Sequence, residues 1–214
     1  MVIHTLQTGP LDVNTYIVHT KDGTDCAVID PADADIVIRS LSDMGLSCTH
    51  ILLTHGHFDH IMGVSRLKKH YGSKVLIHPD DAPALYEDTF NLSYAMGLSV
   101  EHCSADLLAE DGFEFEAAGL SFTVIHTPGH SKGSVCYLVK DEHAIFSGDT
   151  LFRLSAGRSD LPGSDSFVLY DSIVLKLFAL DGDYDVYPGH MGKTTLEFER
   201  KRNPFIKHWK QNEW

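Results

Sequence analysis

The segment Thr54-His55-Gly56-His57-Phe58-Asp59-His60 packs three imidazoles and a carboxylate into seven consecutive residues. Imidazole and carboxylate are the ligands that zinc, iron and manganese accept, and no cysteine stands nearby to compete. A solvated polar loop is the bland alternative, which the position directly after an apolar run disfavours. Four such groups in one turn cannot close around one ion with good geometry, so partners must come from elsewhere in the chain. Three candidates share one local setting: His130 in Thr127-Pro128-Gly129-His130-Ser131, Asp149 in Ser147-Gly148-Asp149-Thr150, and His190 in Tyr187-Pro188-Gly189-His190. Each stands beside a glycine, which permits close backbone approach, and each follows an apolar stretch.

The elements that must position these groups read as follows. Val2 to Leu6, Val13 to Val18 and Cys26 to Ile29 are β-rich runs parted by turn signals, an antiparallel meander. Apolar positions 36, 37, 41 and 44 recur at helical spacing from Asp33 and stop at Gly45. Thr49 to Thr54 is an apolar run too short for a helix, hence a strand buried on both faces that feeds the histidine turn. A helix over His60 to Tyr71, a strand over Lys74 to Ile77 and a short helix over Asp80 to Tyr86 follow, and 91 to 100 carries no clear pattern. Strands are expected over Ser121 to His126, Ser134 to Val139, Ala144 to Ser147 and Tyr184 to Tyr187. Between the last two, Ser164 to Leu180 reads as one helix with a stripe of Phe167, Tyr170, Val174, Leu177 and Phe178. Two sheets packed face to face with helices outside would place every candidate ligand at a common sheet edge. Residues 1 to 214 then form one domain, since this length is near the upper end of what one core supports.

Charge and cysteine usage narrow the function. With 30 acidic against 17 basic residues the formal charge is −13, which repels a polyphosphate backbone and disfavours nucleic acid. The N-terminus has no basic stretch followed by an apolar run, so a cytoplasmic protein with no membrane segment is expected. Cys26, Cys48, Cys103 and Cys136 lie far apart and read as small buried apolar groups. The expected partner is a small-molecule substrate; no oligomeric state is assigned.

The H-x-H-x-D-H run with His130, Asp149 and His190 resembles the metallo-β-lactamase superfamily, a four-layer αββα sandwich of the α/β class, over about Asn14 to Phe205. Gly148-Asp149-Thr150-Leu151-Phe152, Gly157-Arg158-Ser159-Asp160-Leu161, Thr194-Thr195-Leu196, Glu199-Arg200 and Asn203-Pro204-Phe205 are similar to the glyoxalase II group, the hydroxyacylglutathione hydrolases, and its short relatives. The resemblance implies His55, His57 and His130 on one divalent ion, Asp59, His60 and His190 on a second, and Asp149 bridging them. Zinc is the first choice, with iron or manganese as alternatives. It further implies a shared hydroxide, its conjugate acid shifted toward a pKa of about 7, that attacks an electrophilic carbonyl, with Asp59 and Asp149 as the catalytic carboxylates. A thioester such as a hydroxyacyl-glutathione suits that chemistry, and another ester or a lactone is the near alternative. Asp30, Thr54, Ser131 and Thr150 are candidates to fix the imidazole tautomers.

For substrate binding, Arg158 stands where the longer glyoxalase II enzymes carry a basic residue that binds a glutathione carboxylate, although Asp160 offers it a local partner instead. Lys193, with Arg200 and Arg202, could add positive charge at the mouth or form a solvated face. Only 24 residues follow His190, so the helical domain that completes the glutathione pocket in longer enzymes is not expected. Met191 replaces the glycine usual in short relatives. The runner-up is a mononuclear iron persulfide dioxygenase with His55, His130 and Asp149 on one iron. A nuclease is disfavoured by the acidic charge, a flavodiiron reductase by His57, and a non-catalytic binding protein by the complete set of seven ligands.

Overall fold

The computed structural model describes residues 1–206, which form two six-stranded sheets stacked face to face. The first sheet runs in chain order: β1 (Val2–Thr8), β2 (Val13–His19), β3 (Asp25–Ile29), β4 (Ser47–Leu52), β5 (Lys74–Ile77) and β6 (Leu107–Leu108). Its first three strands are antiparallel and the rest parallel, because α1 (Ala34–Met44) and then α2 (Phe58–Ile61) with α3 (Val64–Tyr71) return the chain across the outer face. The second sheet comprises β7 (Glu114–Ala117), β8 (Leu120–His126), β9 (Val135–Val139), β10 (Ala144–Gly148), β13 (Asp185–Pro188) and β14 (Thr194–Thr195), in the order β14-β13-β10-β9-β8-β7. A small hairpin of β11 (Leu151–Phe152) and β12 (Ser155–Ala156) follows β10, while α4 (Ser166–Asp171) and α5 (Leu196–Arg202) cover the outer face.

Alternation along the strands explains the layering. Cys26 and Val28 pack outward against α1 and α3, whereas Ala27 and Ile29 pack inward between the sheets. In β9, Val135, Tyr137 and Val139 point inward and Cys136 and Leu138 outward. Strands buried on both faces therefore lose their polar alternation and read as continuous apolar runs. The result is a four-layer αββα sandwich. No helix among the described residues is long and apolar enough to cross a membrane.

Several local expectations change. The single helix expected over His60 to Tyr71 is broken, because the Gly63 amide donates to the Pro31 carbonyl (2.8 Å) rather than continuing the helical ladder. A Cβ at Gly63 would lie 2.6 Å from that carbonyl oxygen, so the close approach requires glycine. The segment expected as a short helix after β5 is a 3₁₀ run over Pro79–Leu85. The stripe expected in Ser164 to Leu180 is only partly buried: α4 passes into a π-helical turn over Ser172–Leu177, which shifts the register. Leu169, Tyr170, Ile173 and Leu177 face the core, and Phe167 is 70% exposed. Cys26, Cys48 and Cys136 are buried, but Cys103 is only half-buried.

Phe146 sits fully buried between the sheets, its ring 5.3 Å from that of Tyr16 and 5.2 Å from that of Tyr187. Phe146→Ala is expected to destabilise the protein by about 3–5 kcal/mol in urea unfolding, the cost of an aromatic-sized cavity. A loss below about 1 kcal/mol would mean that the layer between the sheets does not carry the fold.

Candidate metal centre

Both sheets send the C-terminal ends of strands to one edge. Asp30 follows β3, the histidine turn follows β4, Asp81 follows β5, His130 follows β8, Asp149 follows β10 and His190 follows β13. Cross-sheet hydrogen bonds align the two edges: the Val135 amide donates to the Thr54 carbonyl (2.7 Å) and the Tyr137 hydroxyl to the Leu53 carbonyl (2.8 Å). The seven candidate ligands thereby converge. His55, His57 and His130 form one group whose ligand atoms lie within 4.8 Å of one another, and Asp59, His60 and His190 form a second. Asp149 stands between them, with Oδ2 at 3.5 Å from His130 Nε2 and 3.6 Å from His190 Nε2, and Oδ1 at 3.5 Å from His60 Nε2.

Hydrogen bonding on the far side of each ring sets its tautomer. Asp30 Oδ2 accepts from His60 Nδ1 (3.0 Å) and from the Thr54 hydroxyl (2.6 Å). Having donated its proton, Thr54 Oγ1 must accept from His55 Nδ1 at 3.1 Å. His130 Nδ1 donates to the Arg158 carbonyl (2.8 Å). In its neutral form each of these rings therefore turns an Nε2 lone pair toward the cluster. His55 Nε2, His60 Nε2 and Asp149 Oδ1 are buried and have no hydrogen-bond partner. Buried polar atoms without partners are costly, and these three face one another, so the donor set fits divalent cations. His57 Nδ1 lies 2.9 Å from His130 Nε2 and donates to it, so the two rings already meet at the point where a shared ion would sit.

The electrostatics agree. Burial holds His55 well below the usual imidazole range and His57 at about 3, so both stay neutral and free to ligate. Burial opposes charge on His60 too, but Asp59, Asp149 and Asp30 outweigh it and raise His60 to about 10. Asp59, despite burial, is lowered to about 2 by His60 and His190. Three carboxylates around one buried imidazole thus demand positive charge at that point.

Of the tautomer candidates, Asp30 and Thr54 touch ligand rings. Ser131 instead donates to Asp81 (2.6 Å), and Thr150 pairs with Thr127 (2.8 Å). Sequence reasoning missed Asp81, whose buried carboxylate accepts from Gly56 N (2.8 Å), Ser131 Oγ and Gly133 N (2.7 Å) and so ties the His57 turn to the His130 loop. It also missed Asn14, which donates to the carbonyls of Pro188 (3.0 Å) and Met191 (2.8 Å) and fixes the loop carrying His190. Asp81 follows a strand end as the other site residues do, and that signal could have found it. Gly189 is required by space: a Cβ there would lie 2.3 Å from Asp149 Oδ1.

The expected substrate-binding cations behave differently. Arg158 is exposed and its guanidinium grips Asp160 in a fork (2.9 and 3.1 Å). Lys193 is drawn from the cluster by Asp185 (2.6 Å), at the start of β13 and hence the far end from His190, and lies over the Tyr187 ring. Arg200 donates to the carbonyls of Phe178, Leu180 and Gly182, closing the end of the π-helical segment.

Comparison with known proteins agrees with this architecture. Residues 8–190 match the description "Metallo-beta-lactamase superfamily". The chain is 36% identical to an uncharacterised protein of Mycobacterium leprae, over 96% of this chain and 99% of that one. It is 31% identical to hydroxyacylglutathione hydrolase GloC of Haemophilus influenzae, over 86% of this chain and 89% of GloC. Among solved structures, BLEG-1 B3 metallo-beta-lactamase superposes with a TM-score of 0.91 at 35% identity, covering 96% of this chain and 99% of that one. TTHA1623, in a di-iron-bound form, superposes with a TM-score of 0.83 at 38% identity, covering 94% and 99%.

Asp30→Asn keeps the size of the side chain but removes the charge that orients His60 and, through Thr54, His55. Metal affinity measured by chelator competition is expected to weaken about 10–100-fold. An unchanged affinity would show that ring orientation does not depend on Asp30.

Proposed function

Because the chain belongs to the metallo-β-lactamase superfamily, we propose that it is a binuclear metal-dependent hydrolase of small thioesters, close in chemistry to hydroxyacylglutathione hydrolases. The observation that carries the reading is the set of buried, unpartnered lone pairs on His55, His60 and Asp149 facing one volume. In this reading His55, His57 and His130 would hold one ion and Asp59, His60 and His190 the other, with Asp149 standing within reach of both groups. Two divalent ions held there supply Lewis acidity, lowering the pKa of water and polarising an acyl carbonyl.

The chain's own groups supply orientation. The Asp30, Thr54 and Arg158 contacts keep three imidazoles in the ligating tautomer, and Asp81 fixes the two loops that carry His57 and His130. Asp30 and Asp81 spend their oxygens accepting hydrogen bonds, so neither is placed to serve as an acid for a leaving group. A thiolate departs without protonation, which favours a thioester over an amide. Similarity to BLEG-1 makes the β-lactam amide the second reading, and its nitrogen needs a proton that these carboxylates do not offer. Zinc is the first choice of metal, and the di-iron form of TTHA1623 supports iron as the alternative.

Elemental analysis of the purified protein is expected to give two metal ions per chain, and the loaded protein to cleave S-lactoylglutathione or a simpler thioester in preference to nitrocefin and lactones. His55→Ala and Asp149→Ala should each lower kcat more than about a hundredfold, beyond the loss for an outer hydrogen-bond partner. One iron per chain with oxygen consumption on glutathione persulfide would replace this reading with the dioxygenase one.

A further inference from the structure

A cavity of 220 Å³ opens beside His57, outside the cluster of ligands. Phe90, Leu92 and Pro162 give it an apolar lining, and Lys132 adds a cation. At roughly 30 Å³ per water-sized group it accommodates about seven, room for a short chain. Its wall is fixed to the site: the Asn91 carbonyl accepts from the Phe58 amide (2.9 Å), and the buried Asn91 side chain donates to the Ala84 carbonyl (2.8 Å). Phe90 and Leu92 flank that anchored residue, so their position relative to His57 is set by main-chain contacts.

The charges decide what the cavity accepts. Asp81, which also lines it, is saturated by its three donors. The main chain of Lys132 is held on both sides, by His126 Nε2 on its carbonyl (2.9 Å) and by Gly133 N on Asp81 (2.7 Å). Its ammonium, in contrast, makes no hydrogen bond or ion pair with any described residue, whereas Arg158 is paired with Asp160 and Lys193 with Asp185. An unpaired cation at an apolar cavity next to a metal-binding edge selects an anion with an apolar stem.

We propose that this cavity is the substrate subsite of the metal centre, seating a short carboxylate-bearing chain with its stem on Phe90 and Leu92 and its carboxylate at Lys132 Nζ. The inference rests on the thioesterase reading, and the test separates the two. The zinc-loaded protein is assayed with neutral S-acetyl-N-acetylcysteamine, with S-succinyl-N-acetylcysteamine, whose carboxylate is on the acyl side, and with S-acetyl-3-mercaptopropionate, whose carboxylate is on the thiol side.

One charged thioester is expected to exceed the neutral one about tenfold in kcat/KM, the size of one charge-assisted hydrogen bond, and which one does so identifies the side that enters the cavity. In Lys132→Met the advantage should vanish through a raised KM, and in Lys132→Arg it should return. Equal turnover of all three, or a preference that survives Lys132→Met, overturns the subsite and leaves the thioesterase reading intact. If none is hydrolysed, the thioesterase reading fails and the subsite is judged by calorimetric titration with monomethyl glutarate. Binding about tenfold weaker in Lys132→Met then supports the subsite, and equal binding overturns it.

Discussion

The buried carboxylate of Asp30 is the contact on which the ligand geometry of this protein depends. It receives the Thr54 amide on one oxygen and the Thr54 hydroxyl and His60 on the other. Because the hydroxyl is committed as a donor, His55 has only one tautomer available, and a single acid thus orders two imidazoles from the end of β3. Asp30 adopts a positive φ of 49°, which a non-glycine residue keeps only where its surroundings hold it. Here those surroundings are its own hydrogen bonds and the Leu52 carbonyl that accepts its amide.

Convergence follows from topology rather than from any one motif. β3, β4 and β5 run parallel in one sheet, as do β10 and β13 in the other, so their exits share an edge. Asn14 of β2 and Pro188 of β13, 174 positions apart, meet there through a side-chain hydrogen bond, and Gly148 and Gly189 let the neighbouring loops pass within contact, the Gly189 amide donating to the Gly148 carbonyl at 2.8 Å. Such long-range closure is the reason that a polar centre can sit among side chains with almost no solvent exposure.

The fold class and the converging residues were legible because strands buried on both faces leave apolar runs, and because histidine is rare enough that its placement after such runs is informative. The parts that were not legible have physical reasons. β6, β11, β12 and β14 are two residues long and carry no period. The break before α3 depends on a contact with Pro31, and the shift in the stripe of Phe167 on a π-helical turn; neither leaves a local pattern. Asp81 and Asn14 act by hydrogen bonds to main chain brought near by folding, and a residue type alone does not announce such partners. Local pairing of the cations is equally hard to read: Arg158 meets Asp160 and Lys193 meets Asp185, whereas the Lys132 ammonium has no ion pair among the described residues.

His130 takes its orientation from the carbonyl of residue 158, an atom that every amino acid possesses. Gly157 is fixed by space, since a Cβ there would lie 1.8 Å from the Asp149 carbonyl oxygen, but from residue 158 onward the loop can exchange side chains without removing the contact that holds the ring. A scaffold arranged in this way separates the main-chain frame that aims the ring from the side chains that the frame leaves free to vary.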